Sequence, residues 1–147
     1  MDKPTDRPEL SVIVPVYNEA DNLGPLCNEV HAALESAKIS FELIFADDGS
    51  TDDTPRVLER LSSQFSSVRV VTLRRNSGQT AALSAAMDCA CGRVLVPMDG
   101  DLQNDPADIP RLLEKLGEGY DVVSGWRRHR KDPLLTRRIP SRIANRL

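Results

Sequence analysis

Apolar residues along the 147-residue chain form short runs that alternate with segments of helical spacing. The apolar runs are rich in Val and Ile and predict five strands: Leu10–Val16, Phe41–Ala46, Val68–Leu73, Arg93–Met98 and Tyr120–Ser124. The segments between them space their apolar residues three or four apart and predict amphipathic helices: Leu23–Ala37, Thr54–Phe65, Thr80–Ala90 and Ala107–Leu116. Regular alternation of apolar strands and helices is typical of a mainly parallel sheet covered on both faces. We therefore predict a doubly wound α/β fold.

In a doubly wound fold, ligands bind outside the carboxyl ends of the strands, so the residues after each strand are the candidates for chemistry. The end of the first strand and its turn supply Pro15, Tyr17, Asn18 and Glu19. This turn lacks both the glycines of a dinucleotide-binding fingerprint and the glycine run of a phosphate loop. Its ring, amide and carboxylate suit a base or a ribose. The alternative is that Asn18 caps the next helix and Glu19 is a first-turn acid.

The second strand is followed by adjacent carboxylates, Asp47 and Asp48. Adjacent carboxylates repel each other, so we expect at least one of them to bind a donor or a cation. At this position a carboxylate can accept hydrogen bonds from the N–H of a nucleobase or from ribose hydroxyls. The alternative is a solvated acidic turn.

The third strand leads into a polar loop that ends at Gln79. In this loop Asn76 or Ser77 can cap the next helix, and we expect the N-terminus of that helix to face an anion. Gln79 can hydrogen-bond a ligand, and we place it in the nucleotide site. Equally, Gln79 can be a surface residue.

The fourth strand delivers Asp99, Asp101 and Gln103 at alternate positions, which an extended segment turns toward the same side. Such oxygen ligands suit Mg²⁺ or Mn²⁺, which bind one or two carboxylates and complete their shell with water and substrate phosphates. An EF-hand is excluded because Asn104 and Pro110 stand where it needs glycine and glutamate. The alternative is a capping loop before the last helix.

The fifth strand runs into a basic segment that begins with Trp126 and Arg127. Beside a metal and a diphosphate, arginines here would neutralise the phosphates of a leaving group. The histidines, His31 and His129, have no neighbours in sequence that would make either a general base, and we expect both at the surface.

Composition indicates a globular segment, with 40% hydrophobic and 28% charged residues and a net charge of −3. The charge is uneven, since residues 126–147 carry +7 and residues 1–125 carry −10, as in tails that meet phosphate or an anionic membrane. We expect no membrane span and no secretory signal. Three cysteines without a paired pattern (Cys27, Cys89 and Cys91) indicate reduced thiols and a cytoplasmic location.

The motifs PVYNE, DDGST, RRNSGQTAA, MDGDLQNDP and VVSGWRRHRKD occur in this order from about residue 10 to the end of the chain. Together they resemble family 2 glycosyltransferases of the GT-A fold, and more narrowly the polyprenyl-phosphate glycosyltransferases. The resemblance implies transfer of a sugar from a UDP- or GDP-sugar to a polyprenyl phosphate, with Mg²⁺ or Mn²⁺ as cofactor. It implies no nucleic-acid partner.

The resemblance also assigns roles to residues of this chain. The nucleotide site it implies comprises Pro15, Tyr17, Asn18, Glu19, Asp47, Asp48 and Asp99, to which we add Gln79. The residues it implies for the metal are Asp99, Asp101 and Gln103. Arg127 and Arg138 match phosphate-binding arginines, and we expect Asp99, Asp101 and Arg127 to be catalytic. Because a phosphate acceptor is already anionic at neutral pH, this reaction needs no strong general base.

We expect three parts in the chain: an extension over residues 1–9, a GT-A domain over 10–125 and a basic amphipathic tail over 126–147. The tail is expected to begin the acceptor region and to lie on an anionic membrane at its cytoplasmic face, or else to pack on the domain. Two other functions remain. The chain can be a truncated, catalytically incomplete half that binds nucleotide and metal, whereas a nucleotidyltransferase would need the glycine-rich phosphate loop that is missing.

Overall fold

The computed structural model describes residues 7–125 and contains a single parallel sheet within that range. The strands are β1 (Leu10–Val16), β2 (Phe41–Asp47), β3 (Val68–Thr72) and β4 (Val94–Pro97). The helices are α1 (Ala20–Ser36), α2 (Thr54–Gln64), α3 (Gln79–Cys89) and α4 (Ile109–Leu116), with a 3₁₀ turn over Pro106–Asp108. The strands lie in the order β3-β2-β1-β4 with every pair parallel. The predicted doubly wound α/β fold is confirmed.

The predicted fifth strand, Tyr120–Ser124, is wrong. These residues follow α4 without regular structure, and Val122 is 83% exposed. A strand exists through hydrogen bonds to a neighbour, and within residues 7–125 no strand lies on the free side of β4. The apolar pattern of residues 120–124 is typical of a strand, but it carries no information about a neighbouring strand to pair with.

Two apolar layers hold the sheet between helices. Val12 and Val14 of β1 belong to the core shared with α1 and α2, whereas Ile13 belongs to the core on the α3 side. This division follows from the side-chain alternation of a strand. On the α3 side the helix presents Ala82 and Ala86, both fully buried, and these small side chains let the helix lie close to the sheet. Helices therefore cover both faces, as predicted.

The register of the parallel strands brings the carboxyl ends of β1, β2 and β3 level with one another. Val16 pairs with Asp47, and Asp47 pairs with Thr72. The loops that follow these strands consequently meet at the same edge of the sheet. None of the helices within residues 7–125 is long and apolar enough to cross a bilayer.

His31 is buried, so the prediction that it lies at the surface is wrong. Its ring packs against Phe41 and Phe65. Nδ1 lies 2.8 Å from the carbonyl oxygen of Cys27, and Nε2 lies 2.7 Å from the Ser67 hydroxyl. Since a carbonyl only accepts, Nδ1 donates to Cys27. Both ring nitrogens are therefore occupied inside the fold, and the imidazole is a packing group. His129 lies outside the described residues.

Cys27 packs beside this histidine, as expected for a small thiol on a helix face. Burial raises the pKa of the Cys27 thiol to about 11. The thiol therefore stays protonated at neutral pH. It behaves as an apolar packing residue.

A polar cluster around Glu42 closes the opposite, amino-terminal edge of the sheet. One Glu42 oxygen accepts from the Ser11 hydroxyl at 2.6 Å and from the Cys91 amide at 2.6 Å. The other accepts from the Arg69 guanidinium at 2.7 Å. Burial acts to raise the pKa of Glu42, but the hydrogen bonds from Ser11, Cys91 and Arg69 outweigh it and hold the pKa below its ordinary value of 4.5.

Acid should weaken the fold through Glu42. A carboxyl whose pKa is lower in the folded chain than in the unfolded one stabilises the fold above the unfolded pKa. That contribution is lost as the pH falls through the folded pKa. We expect the free energy of unfolding to fall as the pH drops below 4.5 and through the lower pKa of the folded carboxyl, and Glu42→Gln to flatten this decline. Urea denaturation across this range measures it, with exposed Glu35→Gln as control. An unchanged slope in Glu42→Gln would contradict the prediction.

Candidate active site

Asn18 joins the loop after β1 to the loop after β2. Its backbone adopts the left-handed region at φ 53°, which asparagine tolerates better than most residues. Its Oδ1 accepts from the amides of Thr51 at 2.8 Å and Asp52 at 3.3 Å, and its own amide donates to the Ser50 hydroxyl at 2.9 Å. The alternative that Asn18 caps α1 is therefore wrong. Glu19 occupies the cap position.

The two residues beside Asn18 differ: Glu19 is held by hydrogen bonds, whereas Tyr17 is exposed. The Glu19 amide donates to the hydroxyl of buried Thr54 at 2.9 Å, and its carboxylate accepts from the Asn22 side chain at 2.6 Å. Tyr17 is 42% exposed at the sheet edge. A ring held beside polar loops can stack on a planar base. Pro15 lines the groove described below.

Asp47 and Asp48 are 1% and 4% exposed, so the alternative of a solvated acidic turn is wrong. Asp48 accepts from the Ser77 amide at 2.7 Å through one oxygen and from the Gly78 amide at 2.8 Å through the other. Asp47 accepts from the Ser50 amide at 3.0 Å through Oδ1. Its Oδ2 is buried without a hydrogen-bond partner among the described residues. The expectation that at least one carboxylate binds a donor is confirmed.

The anion at the N-terminus of α3 is the carboxylate of Asp48, a residue of this protein. The expectation that this N-terminus faces an anion is met by Asp48, which binds the two amides that precede the helix. The predicted caps Asn76 and Ser77 are wrong, because Gly78 occupies the cap position and makes no side-chain cap. The Ser77 hydroxyl instead donates to the Arg75 carbonyl at 3.1 Å. The sequence offered no signal for the pairing with Asp48.

Gly49 lets the loops after β2 and β3 touch. It lies at φ 73°, and a Cβ built on it would stand 2.7 Å from the Arg75 carbonyl carbon and 2.8 Å from the Asn76 nitrogen. Both atoms belong to backbone and cannot rotate away. Only glycine fits this contact.

Gly49→Ala should therefore destabilise the chain by about 2 kcal/mol, because it adds left-handed strain to a backbone clash. Gly24→Ala is the matched control. Gly24 lies within α1 with nothing within 4 Å of a built Cβ, so alanine there should raise stability by about 0.5 kcal/mol. Chemical denaturation measures both. Equal stabilities for the two variants would contradict this account.

The loop after β4 bends, so the prediction that Asp99, Asp101 and Gln103 lie on an extended segment is wrong. The chain bends over residues 100–102, and Leu102 adopts φ 59°. Asp99 Oδ1 accepts from the Gln79 side-chain amide at 3.1 Å, and Asp101 Oδ1 accepts from the Gln103 backbone amide at 3.1 Å. Asp99, Asp101 and Gln103 reach the carboxyl edge of the sheet through a bend in the chain, and not through the alternation of side chains along a strand.

The side-chain oxygens of this loop fit a divalent cation that also binds a substrate phosphate. Asp99, Asp101 and Gln103 are all exposed. Residues 7–125 contain no group of three or more His, Cys, Asp or Glu side chains able to hold a metal. Mg²⁺ and its relatives need only one or two carboxylates when substrate phosphates and water complete the shell. Asp99 and Asp101 meet that requirement, with the Gln103 carbonyl oxygen as a further donor.

An open groove runs from this loop toward α4. Its lining includes Pro15, Gln79 and Asp99, and α4 contributes Arg111 and Lys115. The sequence analysis missed these last two, although their spacing of four residues on one helix was the available signal. Both also face acids, since Arg111 lies 3.8 Å from Asp108 and Lys115 lies 2.6 Å from Glu118. The predicted Arg127 and Arg138 lie outside the described residues.

This fold, with polar loops converging at the carboxyl edge, is that of GT-A glycosyltransferases. A mannosyltransferase from Pyrobaculum calidifontis, solved with GDP-Man and Mn²⁺, aligns with a TM-score of 0.60 and 28% identity over 74% of this chain and 32% of its own. Glucosyl-3-phosphoglycerate synthase from Mycobacterium tuberculosis, solved with Mn²⁺, UDP and glucosyl-3-phosphoglycerate, aligns at 0.58 and 25% identity over 74% of this chain and 39% of its own. The fold therefore places this protein in the class of GT-A glycosyltransferases.

The chain belongs to glycosyl transferase family 2, whose model matches residues 11–146. It is 47% identical to a dodecaprenyl-phosphate galacturonate synthase of Rhizobium johnstonii over 146 residues, which cover 98% of this chain and 43% of that protein. It is 41% identical to an undecaprenyl-phosphate 4-deoxy-4-formamido-L-arabinose transferase of Klebsiella pneumoniae over 140 residues, covering 95% and 42%. The chain therefore spans less than half the length of these relatives. The resemblance to polyprenyl-phosphate sugar transferases is confirmed.

Proposed function

We propose that this protein transfers a sugar from a nucleotide-diphospho-sugar, with UDP or GDP as the nucleotide, to a polyprenyl phosphate. The observation that carries the proposal is the convergence of four loops at one sheet edge. Asn18 and Asp48 fasten the first three loops to one another, and the Gln79 side chain reaches Asp99 in the fourth. Polar groups held in this way can bind a donor without further ordering of the loops.

Donor binding is assigned to the loops after β1 and β2. Exposed Tyr17 can offer a ring face to the base, and Pro15, which lines the groove, and Glu19 are assigned to the same site. Asp47 is included in this assignment because its Oδ2 has no hydrogen-bond partner among the described residues; that oxygen is buried, so a base N–H or a ribose hydroxyl would reach it only after the loop shifts. Asn18 and Asp48 already use their side chains on backbone amides, so we assign them to holding the loops in place around the nucleotide.

Asp99, Asp101 and Gln103 are proposed to hold Mg²⁺ or Mn²⁺ together with the donor diphosphate. When bound, such an ion stabilises the charge of the departing nucleotide as a Lewis acid. Mn²⁺ accompanies a nucleotide or nucleotide-sugar in two of the related structures, which supports this assignment. We assign Asp99, Asp101 and Arg127 to stabilising the leaving group, with Arg138 as a second phosphate ligand.

A polyprenyl phosphate acceptor is supported by the names of the relatives, which transfer galacturonate or a formamido-arabinose to such lipids. A phosphate oxygen is anionic at neutral pH and needs no strong base. This agrees with His31, whose two nitrogens are both occupied inside the fold. We further propose that the basic tail over 126–147 meets the anionic surface of the cytoplasmic face of the membrane.

Calorimetry followed by a transfer assay tests the function. The chain is titrated with UDP and with GDP, with and without Mn²⁺, and then supplied with the matching nucleotide-sugar and undecaprenyl phosphate. We expect one nucleotide to bind more tightly with Mn²⁺ and lipid-linked sugar to form. If neither nucleotide binds, or if Mn²⁺ makes no difference, the metal-assisted transferase is wrong. Binding without transfer would instead indicate a catalytically incomplete nucleotide- and metal-binding half.

A further inference from the structure

Gln79, the first residue of α3, reaches across to the loop after β4. Its side-chain amide nitrogen lies 3.1 Å from Asp99 Oδ1. Because an ionised carboxylate can only accept, the amide must donate, which also fixes the orientation of the carboxamide. The sequence analysis placed Gln79 in the nucleotide site. Its observed partner is instead the first carboxylate of the proposed metal loop.

The backbone beneath Gln79 is held from the interior of the protein. Asp48 is buried directly after β2 and binds the amides of Ser77 and Gly78, the two residues before Gln79. Asp48 is itself positioned by its own amide, which donates to the Val16 carbonyl at 2.9 Å. Hydrogen bonds therefore connect β1 to Asp48 and Asp48 to the two residues that directly precede Gln79, and Gln79 in turn donates to Asp99.

The loop that receives this contact begins at the sheet, where the Met98 amide donates to the Ile13 carbonyl at 2.9 Å. It leaves β4, which pairs only with β1 among the described strands, and it then bends through Leu102 in the left-handed region. An exposed carboxylate loses rotational freedom when a neighbouring group binds it. Gln79 supplies a restraint that is anchored on a different element.

We propose that Gln79 is a positioning residue for the metal carboxylate Asp99, setting the rotation at which Asp99 meets a divalent cation. The inference rests on the proposed function and deepens it. Groups that orient metal ligands in this way typically change metal affinity by about 10-fold to 100-fold when removed. By this proposal Gln79 acts on the nucleotide only through the metal.

The test uses Gln79→Met, which keeps the length of the side chain and removes its N–H donors. Electron paramagnetic resonance of free Mn²⁺ measures metal affinity in the presence of UDP and, separately, of GDP. Calorimetry without metal measures nucleotide affinity. We expect Mn²⁺ affinity to fall by about 10-fold and metal-free nucleotide affinity to stay unchanged. Gln64→Met, on the exposed end of α2, is the matched control and should change neither quantity.

The result that overturns the proposal is an unchanged Mn²⁺ affinity in Gln79→Met. Loss of metal-free nucleotide affinity would also overturn it and would make Gln79 a nucleotide contact. Asp99→Asn separates this failure from failure of the function. If Asp99→Asn weakens Mn²⁺ binding and Gln79→Met does not, only the positioning role is wrong. If Asp99→Asn has no effect on Mn²⁺, the proposed metal site fails and the positioning role fails with it.

Discussion

Asp101→Asn is expected to reduce Mn²⁺-dependent nucleotide binding and sugar transfer by about 100-fold or more, since a lost carboxylate ligand removes several kcal/mol of interaction with the ion. Asparagine keeps a side-chain oxygen that can accept from the Gln103 amide, as Asp101 Oδ1 does at 3.1 Å. The turn should therefore survive the substitution. What changes is the charge of the side chain, which under the proposed function would face the cation and the diphosphate.

Calorimetry with nucleotide and Mn²⁺ measures this effect, and thermal unfolding shows that the fold is retained. Asp88→Asn is the matched control because it removes the same charge from an exposed position near the end of α3. That variant should bind as the wild type does. If Asp101→Asn retains metal-dependent binding within about two-fold of wild type, well inside the effect expected for a ligand, Asp101 is no metal ligand.

Asp48→Ala should lower the free energy of unfolding by about 3 kcal/mol. Two charge-assisted hydrogen bonds disappear, and the amides of Ser77 and Gly78 lose the acceptor that holds them. Asp48→Asn should be more stable than Asp48→Ala but less stable than the wild type, because its NH₂ group would face one of these two donors. Since Gln79 follows directly, both variants should also weaken Mn²⁺ binding. Urea denaturation and Mn²⁺ titration measure the two effects.

Asp53→Ala is the control for this experiment. Its side chain is 78% exposed and lies 3.9 Å from Arg56, so its removal should change stability by less than about 0.5 kcal/mol. An Asp48→Ala chain as stable as Asp53→Ala would mean that water replaces the carboxylate at no cost. The proposal that Asp48 holds the loop before α3 in place would then be wrong.

The amino-acid sequence predicted the described helices and four strands well because their signals are local. Apolar spacing and flanking polar residues lie within a few positions of one another, so the boundaries of β1 agree fully and the other elements shift by three residues or fewer. The family was also accessible, since five motifs in a fixed order are specific even though each alone is weak. The same local signals misplaced the strand at Tyr120–Ser124, because pairing is a property of two segments.

The parallel α/β architecture, the family and the edge at which chemistry is expected all follow from the amino-acid sequence. Which polar groups at that edge already have partners follows only from the packing of distant segments. Asp48 and Ser77 are 29 residues apart, and Gln79 and Asp99 are 20 residues apart. Contacts over such separations depend on sheet register and helix packing, which no short window of sequence contains. His31 was misplaced for the same reason, because its partner Ser67 lies 36 residues away in the turn before β3.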